Sequence, residues 1–114
     1  MKRITLLVIL FLAVAVTCAY AHTPSDVKIT FDWKTKVLTL VIMHDTPDPL
    51  RHYIGRVNIE LNGKEVINDK LTRQDNSTSQ TLSYTIPDAQ PGDIITLYVH
   101  CSIIGRLKRK ITLE

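Results

Sequence analysis

From Val27 onward the chain repeats one pattern to its end: a short run with apolar side chains at alternate positions, then a polar segment containing Pro, Gly, Asn or Asp. Val27, Ile29 and Phe31 alternate in VKITF, the run VLTLVIM follows, and Tyr53, Val57, Ile59 and Leu61 keep the same spacing in HYIGRVNIEL. KEVI, TLSYTI, IITLYVHC and LKRKITL complete the series. Period two is the spacing of a strand with one buried face, and none of these runs has the three-and-four spacing of an amphipathic helix. Asn62-Gly63 supplies the positive φ angles of a two-residue hairpin turn, so the third and fourth runs pair. Pro87 and Pro91 lack the ladder N–H and make PDAQPGD a turn between sheets. TRQDNSTSQ, residues 72–80, is polar without periodicity and reads as a loop. About seven short strands divided by such turns predict an all-β fold, a two-sheet antiparallel sandwich.

The residues before this pattern are of another kind. Lys2 and Arg3 precede an apolar run over residues 4–16, and Ala19-Tyr20-Ala21 then offers small-x-small spacing. That is the layout of a cleaved signal peptide over residues 1–21, with an apolar run too short to span a membrane comfortably. The expectation is an exported protein, periplasmic or secreted, with one domain over residues 22–114 and no stable membrane anchor. Thr17 is large for the position before a lipid-modified cysteine, which disfavours anchoring at Cys18. Without Lys2 and Arg3 the formal net charge falls from +3 to +1, so charge gives no argument for nucleic acid. Arg106, Lys108, Arg109 and Lys110 lie in the alternating last run and read as its solvent face.

Loss of the leader removes Cys18 and leaves Cys101 alone, whereas a small exported domain ordinarily pairs its cysteines or has none. A free cysteine can be simply a small buried hydrophobe. The histidines give it other company. His44 ends one strand and His52 opens the next, and between them DTPDPLR carries Pro47 and Pro49, which restrict the backbone and hold the two imidazoles near each other. His22 stands at the start of the expected mature chain and Cys101 near the end of the penultimate strand. Strand ends from distant parts of a sandwich gather at one end, so His22, His44, His52 and Cys101 are the candidate metal ligands. Imidazole and thiolate suit iron, zinc or copper better than magnesium or calcium. His100 is set aside: with Ile95, Leu97, Val99 and Cys101 inward, it points outward.

These segments resemble the superoxide reductases (desulfoferrodoxin and neelaredoxin), whose order of motifs matches HTP at His22, HDTPDPLRHYI from His44 and CSIIG from Cys101. The resemblance implies an immunoglobulin-like sandwich and a mononuclear non-haem iron, with His22, His44 and His52 as equatorial ligands and Cys101 as the axial thiolate. It also implies a redox role. The chain departs from the family in three places: Ile104 stands where a fourth histidine is expected, His44 and His52 are two residues further apart, and Ala21 replaces the lysine before the first histidine. Superoxide reduction is therefore not implied by the resemblance alone.

Two other readings stay open at this level. Cleavage after Ala21 would let His22 offer both its α-amino group and its imidazole, a chelate suited to copper. The stretch HDTPDPLRHYIGRVNIELNGKEV also resembles the sandwich subunits of the sulfur-oxidation carrier proteins, which implies a non-catalytic domain that binds a partner protein. Hydrolytic catalysis has little support. Ser102 and His100 have no acid placed to orient the imidazole, Asp32, Asp45 and Asp48 read as turn formers, and the four glycines are isolated.

Overall fold

A computed structural model describes residues 23–114, and among them there are seven strands and no helix. The strands are β1 (Asp26–Asp32), β2 (Val37–Met43), β3 (Ile54–Leu61), β4 (Lys64–Lys70), β5 (Ser79–Thr85), β6 (Ile94–Cys101) and β7 (Arg106–Thr112). One sheet has the order β1-β2-β5 and the other β4-β3-β6-β7, all neighbours antiparallel. This is the expected two-sheet sandwich, connected in the immunoglobulin-like manner but with β4 paired to β3. The expected signal peptide, Cys18 and His22 lie outside the described residues.

The central strands carry the core. Leu38, Leu40 and Ile42 of β2 meet Val57 and Ile59 of β3 and Ile95, Leu97 and Val99 of β6, all without solvent exposure. Each such side chain contributes roughly 1.5–3 kcal/mol of burial. The edge strands are half-buried, and the two flanking the larger sheet read KEVINDK and RLKRKIT. Charged edges of this kind resist pairing with further chains. Edges of opposite sheets are tied across the sandwich by Arg109 to Asp26 at 3.6 Å and by the Tyr84 hydroxyl donating to Asp69 at 2.7 Å. Burial, and then the Asp69 carboxylate, push the Tyr84 hydroxyl above its ordinary pKa.

The turns follow local chemistry. Asn62 and Gly63 have φ of 52° and 85°, the two left-handed residues expected of the tight β3–β4 hairpin. Asp32 caps the β1–β2 turn by accepting from the amides of Lys34 and Thr35. Pro87 to Asp93 carries the chain from the smaller sheet to the larger one, as the prolines require.

One expectation is corrected. The spacing of Tyr53 with Val57, Ile59 and Leu61 predicts Tyr53 on the inner face, yet Ile54 is fully buried and Tyr53 is not. The register of β3 against β6 shifts between Ile54 and Arg56. Gly55 sits at that bulge, with Ser102 Cα only 3.2 Å from where a Cβ would stand. The extra residue inverts the facing of the strand's first positions and sets Ile54 opposite Cys101.

Candidate metal centre

Chain direction brings the ends of β2 and β6 and the start of β3 to one end of the sandwich. His44 follows β2 directly, His52 precedes β3 by two residues, and Cys101 is the last residue of β6. The loop between the histidines is folded on itself: Asp48 N–H donates to Thr46 Oγ1, Leu50 N–H to the Asp48 carboxylate, and Arg51 and His52 N–H to the Asp48 carbonyl. The imidazoles of His44 and His52 consequently meet edge to face with centroids 4.8 Å apart.

All three side chains are buried, His44 to 1 % exposure, His52 to 6 % and Cys101 to 9 %. Their ligating atoms lie within 4.8 Å of one another, a group able to hold a metal ion. His52 Nε2 and Cys101 Sγ are 3.1 Å apart. Bonds of about 2.1 Å to nitrogen and about 2.3 Å to sulfur set the donors about 3.1 Å apart at a right angle and about 3.6 Å apart at a tetrahedral one. The pair as placed thus matches a right-angle pair of ligands, and a tetrahedral ion would need it to open by about 0.5 Å. Two imidazoles and one thiol are soft and borderline donors, the set that takes iron, zinc or copper.

His44 is oriented by a residue that nothing in the sequence marks. Gln74, from the polar loop between β4 and β5, is buried, and its side chain makes four hydrogen bonds. Its Nε2 donates to the carbonyls of His44 and Asn76, each at 2.8 Å. Its Oε1 accepts from Ile54 N–H at 3.2 Å and faces His44 Nδ1 at 2.8 Å. Gln80 supports the same loop through Asp75 and the Thr81 carbonyl. The loop is further stitched to the β2–β3 connection by His44 N–H to the Thr78 carbonyl, Thr46 N–H to Ser77 and Gln74 N–H to Pro49.

The thiol side is held equally tightly. Cys101 N–H donates to the Gly105 carbonyl, closing a short β6–β7 turn, while Ser102 N–H bonds to the Tyr53 carbonyl and Ser102 Oγ accepts from Tyr53 N–H. Ile104 is 66 % exposed, so the position where the resemblance expects a fourth histidine carries a solvent-facing side chain. His100 faces outward as expected, paired in register with Arg56 and Arg106. An open groove of about 380 Å³ runs past it to Cys101, with Arg56 and Lys70 on its walls. Partial burial, then Arg106 and Arg56, hold the His100 imidazole below its ordinary pKa.

Of the four predicted ligands the structure brings three together, His44, His52 and Cys101. His22 lies outside the described residues. No helix among the described residues is long and apolar enough to cross a membrane. In comparison with known proteins, no family model matches the chain and no curated protein matches it.

Proposed function

We propose that this chain is an exported protein that binds one iron ion through His44, His52 and Cys101, as a divergent relative of the superoxide reductase iron domains. One observation carries the reading: two imidazoles and a thiol from three different strand ends are buried with their ligating atoms within 4.8 Å. An ion bonding to all three would hold together side chains that arrive from separate strand ends.

A thiolate-bound iron supplies a redox centre tuned by its sulfur ligand. The chain's own residues do the rest. Cys101 brings the negative charge, His44 and His52 bring neutral nitrogen donors, and Ile42 and Ile54, each two residues from one of the histidines, are fully buried. His22 is the proposed fourth donor, as the resemblance implies. Ligation also keeps the lone thiol from oxidising in an exported protein.

Elemental analysis of the purified protein beside a Cys101→Ser variant tests the reading, with the N-terminus sequenced from the same sample. The expected result is about one iron per chain, lost in the variant together with a thiolate charge-transfer band. Copper retained in the variant with His22 at the N-terminus would replace this reading with the terminal chelate. No metal in either protein after reconstitution would leave a sandwich that binds a partner, as the sulfur-oxidation resemblance suggests.

A further inference from the structure

We infer that Gln74 is the positioning residue of the metal centre: it fixes His44 in the tautomer that carries hydrogen on Nδ1 and so presents Nε2 as the donor. The inference rests on the metal-binding reading, and it is drawn from the directions of four hydrogen bonds. The Ile54 backbone N–H can only donate, so the Gln74 atom facing it is the carbonyl oxygen. Both Gln74 amide hydrogens are committed to carbonyls, those of His44 and Asn76. The orientation of the side-chain amide is therefore determined at both ends. The same Oε1 lies 2.8 Å from His44 Nδ1 and has nothing to donate, so the hydrogen between them belongs to Nδ1.

In a neutral imidazole with hydrogen on Nδ1, the lone pair in the ring plane is on Nε2. His44 is thus set as an Nε2 ligand before any ion arrives. This is the outer-shell role that carboxylates and backbone carbonyls commonly fill for metal-bound histidines. A neutral amide in that role adds no charge, so the negative charge of the three donors stays with Cys101. Gln74 also bonds the backbone of both strands that carry the histidines, at the His44 carbonyl and the Ile54 amide. It therefore fixes the separation of the two ligand-bearing segments as well as the ring.

The test uses the full domain, first without metal and then with cobalt(II) as the probe. Long-range nitrogen–proton NMR of the metal-free protein reads the His44 tautomer directly. The parent should show hydrogen on Nδ1 and Gln74→Met should lose that preference. Cobalt affinity should fall roughly 10–100-fold in Gln74→Met. Gln80→Met is the control, since Gln80, the second residue of β5, is buried and braces the same loop through hydrogen bonds that go to Asp75 and Thr81. It should lower stability and leave tautomer and cobalt affinity unchanged. Hydrogen on Nε2 in the parent would overturn the inference, as would equal cobalt affinity in Gln74→Met and the parent, or equal losses in Gln74→Met and Gln80→Met. A parent with hydrogen on Nδ1 that takes up no cobalt would instead overturn the metal reading, and the role of Gln74 toward an ion with it.

Discussion

At the end of the sandwich far from the candidate centre, half-buried and exposed polar side chains serve the backbone and one another. Asn62 donates to Asp93 and accepts from Ile94 N–H, Asp93 accepts from Gln90 N–H, Lys36 donates to the Ala89 carbonyl and Trp33 to that of Glu114. At the opposite end Gln74, Gln80 and Ser102 do the same work. Three further side chains there, His44, His52 and Cys101, are buried and directed toward one another. The far end shows that turn chemistry alone is sufficient to close this fold. Two imidazoles and a thiol at the near end exceed what closure needs, and that excess is the argument for a ligand.

The comparison can be broken most severely through the core that both ends share. Leu97→Ala should cost about 2–5 kcal/mol by cavity formation, and denaturant unfolding should show both ends lost in one transition. If the near end persisted alone, the two would not be parts of one cooperative unit. Saturation with metal sharpens the contrast next. At a free concentration about 100 times the dissociation constant it should add about 2.7 kcal/mol. Hydrogen exchange should then slow most in residues 44–54 and 101–105. Uniform slowing down to Asn62 and Gly63 would argue against a localised site.

Asn62→Ala addresses the far end separately. It removes two side-chain hydrogen bonds and leaves a non-glycine residue without Asn's tolerance at positive φ, for a loss of about 1–2 kcal/mol with metal affinity unchanged. A change in affinity would mean that the ends are coupled. The smallest effect concerns pH. The Asn62 amide, then the Gln90 N–H, hold the Asp93 carboxyl below its ordinary value of 3.8. Its contribution is present in full above that value and is lost as pH falls through the lowered one, because the unfolded chain takes the proton first. Asp93→Asn should flatten the acid limb of the stability profile in that range, and an unchanged limb would refute the assignment.

The fold was legible because each of its determinants is local. Alternation gave the strands, Asn62-Gly63 the tight hairpin, and Pro87 with Pro91 the passage between sheets. Much of the candidate site was legible for the same reason, since two prolines in a short loop bring His44 and His52 together and strand parity turns Cys101 inward and His100 outward. Tyr53 was misplaced because the bulge at Gly55 depends on the approach of Ser102, 47 residues away in the chain. Gln74 gave no signal at all: in a polar loop one glutamine looks like another, and only the folded path of that loop carries it beneath His44.

X-ray absorption at the edge of the bound metal tests the central claim most directly, on protein loaded with iron and on the Cys101→Ser variant. The account predicts a first shell containing one sulfur and at least two imidazole nitrogens, with the sulfur absent from the variant. A shell of nitrogen and oxygen alone in the parent, or a sulfur that survives the substitution, would contradict it.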